Sequence, residues 1–167
     1  MKRIFVLLSL ALMMLSCGEK MSVEKINELE SKVFAKDAVL TAENVIQLVD
    51  AYVLFAEQNP NDQQTPDFLF KALDVAVGVN AEGPQKAIDI ANVLIEKYPD
   101  FEMTPMAMFI KGFVYENMIG DLKNAEATYR QFIEKYPNSP IVEDVKATLE
   151  NLGLTPEELI RKFEEAN

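Results

Sequence analysis

Histidine and tryptophan are absent from this 167-residue chain, and cysteine occurs once. Without histidine, the sequence lacks the commonest general base and the commonest metal-binding side chain. A single cysteine cannot form an internal disulfide. No glycine-rich phosphate loop and no nucleophile elbow is present. Carboxylate pairs exist, as in Glu157-Glu158 and Glu164-Glu165, but they fall at helix ends, where they serve the helix dipole or face water. The expectation is a protein that is not an enzyme and needs no cofactor and no metal. Basic residues are scarce as well, 16 against 27 acidic, for a net charge of −11. A nucleic-acid partner needs a concentrated basic face, so none is expected. The acidity reads as a solvated, self-repelling surface.

Long apolar runs are also lacking, apart from Ile4 to Leu15, which follows the positive pair Lys2-Arg3. A spanning helix needs about 20 apolar residues, and this run is shorter. Its layout is that of a secretory signal peptide. The sole cysteine follows directly, in Leu15-Ser16-Cys17. That ending resembles the lipobox of bacterial lipoproteins; the alternative is an ordinary signal peptide with an incidental cysteine. The lipobox resemblance implies that Cys17 becomes the first mature residue and carries acyl chains on its sulfur and amino group. Each buried CH₂ of such a chain contributes about 0.8 kcal/mol, enough for two or three chains to hold a protein on a membrane. Gly18 is not the Asp that retains enterobacterial lipoproteins in the inner membrane, so the resemblance implies the outer membrane, facing the periplasm. The expected layout is a signal peptide over 1–16, a lipidated tether over 17–22 and one domain over 23–167. Removing Lys2 and Arg3 leaves 14 basic against 27 acidic residues and moves the charge from −11 to −13.

That domain reads as all-α. Thr65-Pro66, Thr104-Pro105, Ser139-Pro140 and Thr155-Pro156 each set a capping hydroxyl before a proline suited to the first helical turn. Thr155 and Glu158 complete a capping box. Leu122, Ala125, Tyr129, Phe132 and Ile133 recur at three- and four-residue steps, as do Ile88, Ala91, Leu94 and Ile95. No period-two run bounded by hairpin turns occurs. Helices are predicted over 23–35, 42–58, 66–79, 84–98, 105–119, 121–136, 140–151 and 156–165. The loops between them are short, so neighbours should pack antiparallel.

The pentapeptide IEKYP occurs twice, at Ile95 to Pro99 and at Ile133 to Pro137, and Phe55 to Pro60 is a degraded third copy. Pro60, Pro99 and Pro137 are spaced by 39 and 38 residues. Recurrence at that period marks stacked helix pairs, since one pair cannot bury its own apolar face. Gly112, Tyr115, Ala125, Tyr129, Phe132 and Pro137, with Gly120-Asp121-Leu122 between them, resemble the tetratricopeptide repeat, with one extra residue placed in the turn. Ala72 and Val75, then Ala87 and Pro99, resemble a weaker preceding repeat, and 23–58 a third. The resemblance implies a right-handed superhelix of antiparallel helix pairs, about three pairs plus C-terminal capping helices. The whole mature chain is similar to tetratricopeptide lipoproteins of Gram-negative outer membranes, among them the β-barrel assembly lipoprotein and the Tol-Pal coordinating protein.

Such arrays bind segments of other proteins along the concave face of their first helices. That implies an envelope protein or peptide as partner. The family's groove positions fall on Met106, Phe109, Phe113, Glu116 and Asn117 in the strong repeat. In the weak repeat they fall on Leu69, Leu73 and Val77. So apolar a set is either an open groove for a partner or a surface covered by helix 23–35 or 156–165. A rival reading is a structural envelope lipoprotein that self-associates or bridges layers. A glycan-binding role is disfavoured, because it would want exposed tryptophan or tyrosine platforms.

Overall fold

The computed structural model describes residues 20–38, 41–79 and 83–165. The expected signal segment, Cys17 and the start of the expected tether lie outside the described residues. Eight α-helices are present among those described: α1 (Val23–Phe34), α2 (Ala42–Gln58), α3 (Thr65–Val77), α4 (Gly83–Lys97), α5 (Thr104–Phe113), α6 (Leu122–Lys135), α7 (Val142–Glu150) and α8 (Pro156–Glu165). A π-helical segment, Val114–Ile119, extends α5. No strand occurs among the described residues. Each predicted helix is present, with ends within two residues of those read from the apolar spacing.

Successive helices pack on one another from α1 through α7. Ile26, Leu48, Tyr52, Leu73 and Leu94 are fully buried in a core shared by α1 to α4. Tyr129, Phe132 and Val145 are fully buried in a second, beneath α5, α6 and α7. Ile95 and Tyr115 pack against both, so the two cores are continuous. Ile95 belongs to the first IEKYP copy. The tyrosines of the two copies pack at one repeat position and bond differently. The Tyr98 hydroxyl donates to the Pro60 carbonyl, 2.9 Å away, whereas that of Tyr136 is buried with no partner among the described residues.

The threonine–proline marks work differently from the caps expected of them. Thr65 and Thr104 are the first residues of their helices and are fully buried. Their hydroxyls donate backward, Thr65 to the Asn59 carbonyl at 2.6 Å and Thr104 to the Tyr98 carbonyl at 2.7 Å. Each satisfies an orphan carbonyl at the end of the preceding helix and so fixes where the next pair begins. Ser139-Pro140 lies wholly before α7, which starts at Val142. Only Thr155 behaves as predicted: Thr155 N–H donates to Glu158 Oε2 at 2.8 Å, and Glu158 N–H to Thr155 Oγ1 at 3.2 Å.

The extra residue of the strong repeat is in the helix and not in the turn. A π-helix inserts one residue without breaking the hydrogen-bond ladder, and Val114–Ile119 does so. The turn itself is Gly120-Asp121. Gly120 adopts φ +76, a left-handed conformation that favours glycine, and Asp121 N–H closes the segment on the Tyr115 carbonyl at 2.8 Å.

Candidate protein-interaction face

Thr65 and Thr104 make the same bond at the same place in their helices, and they are 39 residues apart. This fixes the register of the first helices α3 and α5. It pairs Gly112 with Leu73, not with Ala72, and Tyr115 with Ala76, not with Val75. The same offset pairs Phe109 with Phe70 and Phe113 with Asp74. The groove positions assigned to the weak repeat are therefore corrected by one residue, which on a helix is a rotation of about 100°. Leu69 and Leu73 are buried core residues that cannot face a partner, and Val77 is half-buried against the same core. Phe70 is partly buried against the core, and after the first turn the exposed side chains of α3 are Lys71 and Asp74.

Around them lies an open cleft of about 230 Å³, lined by Glu30, Phe34, Tyr52, Lys71, Asp74 and Val75. Phe34, at the end of α1, is 62% exposed. Lys71 spans the cleft floor: its Nζ is 2.7 Å from Glu30 Oε1, 5.5 Å from the Phe68 ring centre and 6.0 Å from that of Tyr52. Tyr52 donates to the same Glu30 oxygen at 2.6 Å. Burial raises the Glu30 pKa, but the Lys71 and Tyr52 hydrogen bonds more than offset it and hold the carboxyl below its usual range. A depressed folded-state pKa contributes stability above the unfolded value that is lost as pH falls through the folded one. The contribution is small because Lys71 is half exposed.

On α5 the face continues at the Asp74-equivalent position with Phe113, which is 41% exposed. Met106 is partly exposed. Phe109 is half-buried against the second core, its ring 6.0 Å from that of Tyr129. Asn117 is exposed and turns its amide back to the Phe113 carbonyl at 3.2 Å. Glu116 is partly exposed and accepts from the Tyr129 hydroxyl at 2.8 Å, across the π-helical segment. Burial first, and then the carboxylates of Glu30 and Glu116, push the Tyr52 and Tyr129 hydroxyls far above their usual range, so both stay protonated as donors.

Neither terminal helix seals this face. α1 packs on α2, with Met21 N–H held by Gln58 Oε1 at 2.8 Å. α8 is fastened to the end of α7, where Lys162 Nζ donates to Asn151 Oδ1 at 2.7 Å. The resemblance to the tetratricopeptide repeat pointed to Met106, Phe109, Phe113, Glu116 and Asn117. It missed Phe34 and Lys71, and it missed Asp74, which the 39-residue offset pairs with Phe113.

Residues 106–139 match the tetratricopeptide repeat family model. The chain therefore carries a tetratricopeptide repeat, spanning α5, the Gly120-Asp121 turn and α6. The surrounding pairs extend the same architecture. Repeats of this class are protein-interaction modules and typically non-enzymatic. No curated protein matches the chain. Among the described residues, no group of acidic side chains is placed to hold a metal, and no helix is long and apolar enough to cross a membrane.

Proposed function

We propose that this protein is a non-enzymatic scaffold, lipid-anchored through Cys17, that binds a segment of another envelope protein on the face formed by α1, α3 and α5. The observation that carries the proposal is the exposure of two large aromatics, Phe113 on α5 and Phe34 lining a cleft that the described residues leave open. Aromatics in such positions are the usual anchors of protein interfaces. The outer membrane, facing the periplasm, is the proposed location, supported by Gly18 after the lipobox. The likeness to the β-barrel assembly lipoprotein and the Tol-Pal coordinating protein belongs to this proposal too.

Mass spectrometry of membrane-extracted protein tests the anchor: the N-terminal peptide should begin at Cys17 and carry lipid, and Cys17→Ser should leave the membrane fraction. A mature terminus further along the chain would contradict it. Binding is tested by capture of envelope proteins on the full chain and on its Phe113→Ala variant. Proteins held by the first and lost by the second support the proposal; identical sets from both contradict it.

One observation favours a second reading, self-association. α8 presents Ile160 at 59% exposure beside Leu159, and Leu154 is exposed just before it. Sedimentation of the detergent-solubilised chain, with and without Ile160→Glu, decides whether copies join there.

A further inference from the structure

Tyr52 and Tyr129 stand at one repeat position, each eight residues before the proline that closes its pair, Pro60 and Pro137. Both are fully buried, and both donate their hydroxyl to a carboxylate on the first helix of their own pair, Glu30 and Glu116. At Tyr52 the assembly is completed from within. Lys71, 19 residues further on in the next first helix, brings its ammonium to 2.7 Å from Glu30 and over the neighbouring aromatic rings.

At Tyr129 the chain does not repeat this. The residue 19 positions further on is Thr148, in α7, and its hydroxyl donates back to the Asp144 carbonyl at 2.9 Å. Among the described residues no cation is paired with Glu116. Its carboxylate is held in place by Tyr129, partly exposed, one helical turn from the exposed ring of Phe113. A carboxylate fixed in this way and partly shielded from water is a strong acceptor for a lysine or arginine. A net charge of −11 favours the approach of a basic segment.

We propose that the partner segment is basic and apolar together. A lysine or arginine side chain pairs with Glu116, as Lys71 pairs with Glu30, and an adjacent apolar side chain packs on Phe113. This rests on the reading of the α1–α3–α5 face as a binding surface, and it adds the chemistry of what is bound there.

The test is a selection of random twelve-residue peptides on the full chain in detergent, followed by affinity measurement on variants. Glu116→Gln is the informative change, since its amide oxygen still accepts from Tyr129 and only the charge is lost. Peptides rich in Lys or Arg beside apolar residues should emerge. They should weaken about tenfold or more on Glu116→Gln, while the melting temperature stays within a degree or two of the parent. Peptides that need Phe113 but are indifferent to Glu116→Gln would overturn this inference and leave the binding face standing. Peptides that need neither residue, or no selected peptides at all, would overturn the binding face and this inference with it.

Discussion

Replacing Gly112 with leucine is expected to cost about 3 kcal/mol of folding stability, the upper end of ordinary overpacking. A Cβ built on Gly112 would lie 2.3 Å from Tyr129 Cε1 and 2.7 Å from its Cδ1. The ring has little room to retreat, because Tyr129 is fully buried and its hydroxyl is tied to Glu116. The neighbouring pair shows the alternative solution to the same contact. There Leu73 stands at the Gly112 position and Ala91 at the Tyr129 position, and both are fully buried. Large and small have changed places between the helices. Combining Gly112→Leu with Tyr129→Ala should therefore recover about 1 kcal/mol or more relative to the sum of the single changes, even though the Glu116 hydrogen bond is lost. Urea unfolding midpoints at unchanged slope would measure this. A Gly112→Leu protein as stable as the parent would show that the ring of Tyr129 does not lie against residue 112.

The second large effect separates core from face. Leu73→Ala should lower stability by about 2–5 kcal/mol, as large-to-small changes in buried leucines do, because Leu73 is fully buried within the α1–α4 core. Phe113→Ala should change it by no more than about 0.5 kcal/mol, the usual scale for exposed positions. Thermal unfolding of the two variants side by side reads the difference directly. Equal losses in both would mean that the one-residue correction to the register of α3 is wrong.

That correction shows where the sequence was legible and where it was not. The helices from α1 to α7 could be read from apolar spacing because each buries one stripe, and the period could be read because Pro60, Pro99 and Pro137 end successive pairs. The strong repeat was legible at Gly112 and Tyr129, whose sizes are dictated by one close contact. The weak repeat was not, because Leu73 and Ala91 invert that pattern and removed the marker that would have set the register. A slip of one residue then carried Leu69 and Leu73 from the core to the supposed groove. The π-helical segment was hidden for a related reason. An extra residue between Tyr115 and Asp121 has the same length whether it widens the helix or lengthens the turn, and only the bond from Asp121 to the Tyr115 carbonyl distinguishes them. The backward bonds of Thr65 and Thr104 were equally out of reach, since threonine before proline reads as a cap in sequence.

The face bearing Phe113 is proposed to receive a partner. A photo-activatable aromatic placed at position 113 of the full chain, in intact cells, tests it most directly. A second probe at Gln131, exposed on α6, serves as the control. A discrete protein adduct is expected from position 113 and none from position 131. Adducts from position 131 alone, or from neither, would contradict it.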